Sequence, residues 1–421
     1  PHPPHHPLPF HPSTSSTMIA QLTPPTLQTF LPGYTLPPVS QNATRILLLR
    51  HGRSTLNDEG RYQGSADLGE LTHQGLAASQ AIGRYLCDCA IDAVYASPLR
   101  RAQDTVAALL PHLKNPVVKR LVTSDWLKEI HLPAWEGLKY DDVRSHQADL
   151  HHCWQHTPER LAMPLAHAIA PDAPPFYPLH ELYDRVHRFW QSILPHHRGQ
   201  TLLIVSHGST NHALLNTALH LPARQHHALQ QTHSGLTILD FAHQVDRAAQ
   251  LHCLNVTLGD RLPKLKVGKQ GLRLLLWPSQ STGITPTAIA PFLQGETLQA
   301  AIVEEQITHP AHTDSVTRAI TSSLLSHHPE TVLLPIQQLP KSDQWPVAIQ
   351  KSLANDDHSQ LNTLLIVAPA ATLQARLRSL LQLPNLPDLT LQTNHLSVIH
   401  YAKGRPQPIL QGLNLLPFRS D

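Results

Sequence analysis

Two histidines in this sequence directly follow apolar runs that have the length of a β-strand. Arg50 and His51 follow residues 46–49, and His207 comes shortly after residues 201–205. Short apolar runs of this kind predict strands that are buried on both faces. Because ligands of open α/β sheets bind at the carboxyl ends of the strands, we expect both imidazoles and the Arg50 guanidinium in one crevice. A crevice of this character should bind an anionic substrate.

Two further residues complete a set with a defined chemistry. Arg101 lies in an arginine-rich turn after a third short strand, and Glu129 lies in an irregular segment that ends in Trp-Glu-Gly at residues 135–137. Guanidinium groups bind phosphate oxygens through paired hydrogen bonds and stabilise the charge of the transition state. An imidazole can attack phosphorus, and a carboxylic acid can protonate the leaving oxygen and later deprotonate water. The set indicates phosphoryl transfer through a phosphohistidine.

The segments that would position these residues alternate between strand and helix patterns. Thr72 is the expected N-cap of a helix over residues 73–87. Repeated alternation predicts an α/β fold over residues 44–258, with a mostly parallel sheet and helices on both faces. The predicted strands are residues 46–49, 93–96, 201–205 and 236–241; further helices end near residues 113 and 219, and residues 140–198 form helices around a loop at 161–178.

A second, degenerate copy of this pattern follows the first. LLLWPSQST at residues 274–282 matches LLLRHGRST at residues 47–55, and residues 363–384 match residues 201–222. In the copy, Trp-Pro-Ser replaces Arg-His-Gly, and Ala-Pro-Ala replaces Ser-His-Gly. The fold is therefore predicted to be duplicated, with a second copy that keeps the strands and helices of the core but lacks the catalytic residues.

The chain is predicted to divide into four parts. Residues 1–43 form a disordered leader, because they are rich in Pro, His, Ser and Thr and contain no Asp or Glu. Residues 44–258 form the catalytic domain, residues 259–271 a linker, and residues 272–421 a degenerate, catalytically inactive domain. The expected location is the cytoplasm, with the plastid stroma as the alternative if the leader is a transit peptide.

Composition excludes several classes of protein. With 32 Lys plus Arg and 30 Asp plus Glu in 421 residues, the net charge of +2 gives no polyanion-binding signature. No basic stripe predicts nucleic-acid binding, and no apolar run is long enough to predict a membrane span. Four cysteines without a CxxC pair indicate a reducing compartment. The cluster of His151, His152, Cys153 and His156 is interpreted as idle rather than as a metal site.

The order of several motifs resembles the histidine phosphatase superfamily, also called the phosphoglycerate-mutase-like family. The motifs are LLLRHGRSTLN, RYQG, LTHQG, SPLRRAQDT, EIHLPAWEGL and LLIVSHG, within residues 45–258. The resemblance implies that His51 is the phosphorylated nucleophile and Glu129 the acid and base, without a metal or cofactor. It also implies a phosphate pocket and accessory positions that face the phosphate: the pocket residues are Arg50, Arg101 and His207, and the accessory residues are Asn57 and Gly208.

The tandem layout is similar, more narrowly, to the 2-carboxy-D-arabinitol-1-phosphatase group of plants and cyanobacteria. This similarity implies a metal-independent phosphatase whose partner is a small phosphorylated metabolite, such as a sugar or sugar-acid phosphate; a homodimer is left open. Phosphoglycerate mutase-type transfer is one alternative, which the lack of Arg and Lys in residues 161–180 disfavours. A phosphate-sensing or protein-interaction module with residual activity is the other, suggested by the decayed second copy.

Overall fold

One long β-sheet organises the computed structural model of this chain. The structure describes residues 28–31, 34–36, 38–114, 121–164, 175–242, 247–259, 261–266, 268–279, 290–304, 328–336, 344 and 360–416. Within these ranges, twelve strands join in a single mixed sheet, and a separate two-stranded ribbon consists of β1 (Gln28–Leu31) and β2 (Tyr34–Leu36). None of the helices in these ranges is long and apolar enough to cross a membrane.

The first six strands of the sheet form what we call the first unit. They are β3 (Ala43–Arg50), β4 (Ala93–Ala96), β5 (Leu121–Thr123), β6 (Thr201–Ser206), β7 (Leu236–Ala242) and β8 (Gln250–Val256). Their spatial order is β5-β4-β6-β3-β7-β8, with the first four parallel and the last two antiparallel. The predicted, mostly parallel sheet is confirmed. The sequence did not predict β5, which is short and poorly buried, or β8, which mixes polar and apolar residues.

Helices cover this part of the sheet. They are α1 (Thr55–Asp58), α2 (His73–Tyr85), α3 (Arg100–Leu109), α4 (Tyr140–His146), α5 (Ala148–His156), α6 (Pro178–Ile193) and α7 (Gly208–Ala218). The hydroxyl oxygen of Thr72 accepts from the backbone N–H of Gly75 at 3.0 Å, so the predicted N-cap is confirmed. Helix α3 ends earlier than predicted and continues as a 3-10 turn that contains Pro111, which has no N–H to extend the α-helix.

The remaining six strands form the second unit, which has the same strand order as the first and runs in the opposite direction along the shared sheet. They are β9 (Gly271–Ser279), β10 (Ala300–Glu304), β11 (Val332–Ile336), β12 (Leu361–Pro369), β13 (Leu396–Ala402) and β14 (Ile409–Leu415), with helices α8 (Ala290–Leu293) and α9 (Ala370–Leu381). Their order is β11-β10-β12-β9-β13-β14, and β14 pairs with β8 across Leu413 and Leu254. The two units therefore share one sheet.

The register of the second unit corrects the sequence match by one residue. Arg50 lies opposite Ser206 in the first unit, and Pro278 lies opposite Ala368 in the second. Since Ala368 corresponds to Ser206, Pro278 and not Trp277 occupies the position of Arg50. In a run of consecutive leucines, the sequence does not show which of two alignments is correct. A shift of one residue nevertheless turns every side chain of the strand to the other face of the sheet.

Strand β3 is buried on both faces, as the apolar run predicted. Ile46 and Leu48 pack into one layer of the core, and Leu47 and Leu49 pack into the other. Both layers continue across the second unit. Burial on both faces fixes the strand, and with it the residues that follow Arg50.

A buried ion pair lies at the start of β3. The Arg45 guanidinium donates from Nε and Nη2 to the two carboxylate oxygens of Asp240, each at 2.8 Å, and His252 Nε2 lies 2.9 Å from Asp240 Oδ2. Burial alone would raise the pKa of Asp240, but the hydrogen bonds from Arg45 and His252 hold it below its usual range.

The predicted disorder of residues 1–43 is wrong for the last part of that segment. Strand β2 pairs with β1, and Tyr34 and Leu36 are buried. The Tyr34 hydroxyl donates to the backbone carbonyl oxygen of Asn414 in the second unit. Burial of these apolar side chains stabilises an ordered backbone that composition alone did not predict. Residues 1–27, 32, 33 and 37 lie outside the described residues.

Candidate functional site

His51 lies immediately after β3 and is only 2% exposed. Its backbone N–H donates to the carbonyl oxygen of Ser206 at 2.9 Å, and its Nδ1 lies 2.7 Å from the carbonyl oxygen of Gly52. Because a carbonyl oxygen can only accept, Nδ1 carries the ring proton and Nε2 carries the lone pair. In this tautomer, His51 can act as a nucleophile through Nε2.

The backbone after His51 is held by a close approach to helix α2. The N–H of Gly52 donates to the Thr105 hydroxyl oxygen at 3.0 Å. A Cβ atom at Gly52 would lie 2.6 Å from the carbonyl oxygen of Gly75, so only glycine fits this position. The chain therefore leaves β3 along one path, and that path sets the position of the His51 ring.

Two more imidazoles lie beside His51. His207 is fully buried before the first residue of α7, and its Nε2 lies 2.7 Å from the hydroxyl oxygen of Ser97, which follows β4. The ring centroids of His51 and His207 are 5.0 Å apart, and those of His51 and His233 are 5.8 Å apart. The ends of three neighbouring strands thus bring these groups to one edge of the sheet.

Two guanidinium groups border these rings. Arg50 donates from Nη1 to the carbonyl oxygen of Gln231 at 2.9 Å. Arg101, which is 1% exposed, donates from Nη2 to Gly64 O at 3.0 Å and from Nη1 to Ala66 O at 3.3 Å. Backbone carbonyl oxygens therefore orient both cations without neutralising their charge.

Glu136 holds the loop that orients Arg101. Its Oε1 accepts from the backbone N–H of Ser65 at 2.8 Å, from the Ser65 hydroxyl at 3.1 Å and from the N–H of Ala66 at 3.3 Å. The carbonyl oxygens of this loop are the acceptors of Arg101. The Trp-Glu-Gly segment therefore positions one cation of the crevice through the backbone of another loop.

The Glu129 carboxylate caps the N-terminus of α7. Its Oε1 accepts from the backbone N–H of Ile130 at 2.9 Å, from the N–H of Thr210 at 3.0 Å and from the Thr210 hydroxyl at 3.2 Å. Its Oε2 accepts from the N–H of Ser209 at 3.1 Å. Since a carboxylate has about four lone-pair sites, Oε1 is fully used, and Oε2 is the oxygen that can exchange a proton with a substrate.

The charges of the crevice follow from burial. Burial, and then the positive charge of Arg101, lower the pKa values of His51 and His207 well below the usual range of histidine. Both rings are therefore neutral at neutral pH. Burial also lowers the pKa values of Arg50 and Arg101, while the nearby Glu129 carboxylate opposes this change. Guanidinium groups keep their proton even so.

Several buried nitrogen atoms of the crevice have no hydrogen-bond partner among the described residues. They are Arg50 Nε, Arg101 Nε, His207 Nδ1 and His233 Nε2. Buried polar atoms without partners are uncommon in proteins, and guanidinium nitrogens can only donate. The oxygens of a phosphate group are strong acceptors for donors of this kind. The arrangement is suited to an oxyanion.

Two residues singled out from the sequence stand at the margin of this arrangement. Gly208 begins α7, and a Cβ atom there would lie 3.3 Å from Cζ of Arg50, so glycine leaves room for the guanidinium. Asn57 lies in α1, where its Oδ1 accepts from the hydroxyl and the N–H of Ser54 at 2.8 Å and 3.2 Å. No described contact joins Asn57 to the imidazoles, and its role at the phosphate stays a prediction.

Lys266, in the predicted linker, contributes positive charge near the crevice, and the sequence did not indicate this. Its charge contributes to the lowered pKa values of His51 and His233. The segment is held in place because Gln230 Nε2 donates to the carbonyl oxygen of Lys264 at 3.0 Å. Lys266 itself is exposed to solvent.

Two further residues of the crevice were missed for different reasons. Ser97 follows a predicted strand at the same sheet edge as His51, and that position was an available signal. His233 follows no predicted strand and comes just before β7, so the pattern that indicated His51 and His207 does not apply to it.

The described part of the chain contains no group of three or more His, Cys, Asp or Glu side chains arranged to hold a metal ion. In the histidine cluster of α5, the rings of His152 and His156 stack at 4.0 Å. His156 Nε2 lies 2.8 Å from the carbonyl oxygen of Gly404, so this ring joins the first unit to the β13–β14 turn of the second.

Comparison with known proteins gives a family for the first unit. The profile described as "Histidine phosphatase superfamily (branch 1)" matches residues 46–254. A protein from Triticum aestivum named "2-carboxy-D-arabinitol-1-phosphatase" is 33% identical over 220 residues, which are 52% of this chain and 41% of that protein. One from Arabidopsis thaliana, named "Probable 2-carboxy-D-arabinitol-1-phosphatase", is 31% identical over 216 residues, or 51% and 42% of the two chains. The chain thus spans less than half the length of these plant relatives.

Among solved structures, the alpha-ribazole phosphatase from Shigella flexneri is 26% identical to this chain. The superposition has a TM-score of 0.40 and covers 50% of this chain and 96% of that one.

Proposed function

Through residues 46–254 the chain belongs to the histidine phosphatase superfamily, and we propose that its crevice hydrolyses phosphate monoesters of a small metabolite through a phosphohistidine. The observation that carries this proposal is the set of buried, unpartnered nitrogens around a neutral His51 whose Nε2 lone pair is free. A pocket that only sensed phosphate would have no use for a nucleophile in this tautomer beside a carboxylate oxygen with a free lone pair.

In the first step of the proposed reaction, Nε2 of His51 attacks phosphorus. The bond between phosphorus and the ester oxygen breaks, and that oxygen leaves with the proton of Glu129, which enters this step as the carboxylic acid with its proton on Oε2. Arg50 and Arg101 bind the equatorial oxygens and stabilise the charge that spreads over them. When the Ser97 hydroxyl donates to Nε2 of His207, that ring carries its proton on Nδ1 and can donate it to the phosphoryl group.

In the second step, Glu129 accepts a proton from water as the water oxygen attacks phosphorus. The bond between phosphorus and Nε2 of His51 breaks, and inorganic phosphate leaves with the ring again neutral. The chain's own guanidinium groups supply the positive charge, so we propose that the reaction is metal-independent.

We propose a sugar phosphate or sugar-acid phosphate as the substrate class, with 2-carboxy-D-arabinitol 1-phosphate as the first candidate. The names of the two plant relatives support this choice. The charge that Lys266 adds near the crevice also supports it, because a cation beyond Arg50 and Arg101 suits a second anionic group on the substrate. Offering a panel of phosphometabolites that includes 3-phosphoglycerate with its bisphosphate would show free phosphate for hydrolysis and an isomer for mutase-type transfer.

Replacing the nucleophile tests the proposal directly. His51→Ala should abolish turnover and also the acid-labile label that a ³²P-phosphate ester leaves on the protein. The matched control is His197→Ala, which removes another buried imidazole at the opposite end of β6, where it contacts Tyr95. Retained turnover in His51→Ala, or an equal loss of label in His197→Ala, would refute the phosphohistidine.

A further inference from the structure

Two asparagines occupy equivalent positions on either side of the junction between the units. The two junction strands meet at Leu254 and Leu413, and the next residue in each strand is Asn255 or Asn414. Both adopt the left-handed backbone conformation, with φ of 59° and 54°. Asparagine tolerates this conformation better than most residues. The repeat is therefore preserved in backbone detail at this point.

Each asparagine makes the same two kinds of hydrogen bond. Asn255 Oδ1 accepts from the N–H of Thr232 at 2.7 Å, and its Nδ2 donates across the junction to the carbonyl oxygen of Gln411 at 2.7 Å. Asn414 Oδ1 accepts from a loop N–H of its own unit at 2.9 Å, and its Nδ2 donates across the junction to His252 O at 2.7 Å. Each side chain thus joins a loop of its own unit to a strand of the other.

The loop that Asn255 holds is the one that orients Arg50. In this Arg50-binding loop, residues 231–235, the carbonyl oxygen of Gln231 accepts from Arg50 Nη1 at 2.9 Å. The N–H of Ser234 donates to the carbonyl oxygen of Arg50 at 3.1 Å, and Gly235 O accepts from the N–H of Arg50 at 3.3 Å. Both the backbone and the guanidinium of Arg50 therefore depend on this loop.

The equivalent loop of the second unit has no such task. There the N–H of Asn394 donates to the carbonyl oxygen of Pro278, which stands where Arg50 stands in the first unit. The second unit also supports the Arg50-binding loop from its other end. The N–H of Gln230 donates to Leu410 O at 2.9 Å, and the N–H of Leu410 donates to Ala228 O at 2.8 Å.

We propose that Asn255 is a positioning residue for Arg50 and that the second unit completes the phosphate site by fixing Asn255 through Gln411. The inference rests on the proposed function in that the anion bound by Arg50 is the phosphoryl group. It gives the second unit a role that needs none of the lost histidines.

The symmetry of the junction supplies a matched pair of variants. Asn255→Gly and Asn414→Gly each remove the side-chain hydrogen bonds of one asparagine, and glycine keeps the positive φ without strain. Both should lower the Tm by similar amounts. Asn255→Gly should weaken the binding of inorganic phosphate about tenfold, measured as Kd by isothermal titration calorimetry, whereas Asn414→Gly should change it less than about twofold. Hydrogen exchange at the amides of residues 231–235 should accelerate in Asn255→Gly alone.

Equal weakening of phosphate binding in both variants would mean general loosening of the junction and would overturn the proposal. Unchanged binding in Asn255→Gly would overturn it as well. Asn255→Asp keeps the acceptor for the Thr232 N–H but loses the donor to Gln411 O and to the Thr232 hydroxyl oxygen. Full protection of the Thr232 amide in this variant would refute the part assigned to the second unit. Since phosphate binding needs no turnover, a wild-type protein that binds phosphate but hydrolyses no ester would refute the proposed function and leave this inference standing.

Discussion

Glu129→Gln should separate the two tasks that we propose for this side chain, helix capping through Oε1 and proton transfer through Oε2. If the amide oxygen takes the place of Oε1, it keeps the hydrogen bonds from Ile130 and Thr210, and the amide NH₂ then faces the N–H of Ser209. The loss of a hydrogen bond to a charged acceptor costs about 1.5–3 kcal/mol, and the loss of negative charge at the helix N-terminus costs about 0.3–1 kcal/mol. We expect the free energy of unfolding to fall by about 2–4 kcal/mol.

The chemical task should appear in the choice of leaving group. For glycerol phosphate, whose alkoxide needs a proton, the variant should form the phosphoenzyme about 10²–10⁴-fold more slowly than the wild type. For 4-nitrophenyl phosphate, whose phenolate leaves unprotonated, this step should slow by less than about tenfold. The variant should then release one equivalent of nitrophenolate in a burst, since activation of water in the second step is lost.

Stopped-flow and quench-flow measurements of the two esters test this prediction. Thr210→Val is the control, because it removes the hydroxyl that donates to Lys128 O at 2.7 Å and contacts Oε1 at 3.2 Å, and it leaves Oε2 untouched. It should lower the Tm without changing the ratio between the two esters. An equal slowing of both esters in Glu129→Gln, without a burst, would refute the assignment of the proton to Oε2 and leave Glu129 as a helix cap.

Two predictions concern charges outside the reacting atoms. Lys266→Gln should weaken the binding of phosphoglycerate relative to glycerol phosphate and raise the KM for phosphoglycerate by up to about fivefold, since one partly solvated ion pair contributes up to about 1 kcal/mol. The control Lys264→Gln should leave this KM unchanged. An equal change of KM for both esters in Lys266→Gln would contradict the binding of a second anionic group by Lys266. Asp240→Asn should destabilise the protein by about 3–5 kcal/mol at pH 7. Because bonds from Arg45 and His252 depress the pKa of Asp240, the wild-type advantage is full above the ordinary aspartate pKa of about 4 and shrinks below it. Urea unfolding of both proteins at a series of pH values measures this difference in the free energy of unfolding. A difference that does not change with pH would contradict the prediction.

The part of the site that local sequence could predict is the part at the ends of β-strands. An apolar run fixes both where a strand ends and which sheet edge the next residues reach, so His51 and His207 could be expected to meet before any contact was known. Their ring centroids lie 5.0 Å apart. Glu129 has no such local signal, because it stands in an irregular segment, and its assignment came from the resemblance of the surrounding motif.

The rest of the site depends on contacts between distant parts of the chain. The segment of Lys266 is held near the crevice by the hydrogen bond from Gln230 to Lys264, and Asn255 matters because β14 of the second unit lies beside it. Neither arrangement leaves a local pattern of composition or periodicity. The same limit explains the slip in register at Pro278, since only pairing with β12 and β13 fixes which face each leucine occupies.

The junction of β8 and β14 has the symmetry of a homodimer interface within one chain. Like an isologous contact, it uses the equivalent strand of each unit, and the antiparallel pairing places Leu254 opposite its counterpart Leu413. Because the copies are tethered, their association is intramolecular and does not depend on protein concentration. Strand β8, which would otherwise be an open edge able to recruit foreign strands, is covered. The contact uses neither Ser279 nor Pro369, which stand where the first unit has His51 and His207, so the shared sheet does not require histidines in the second unit.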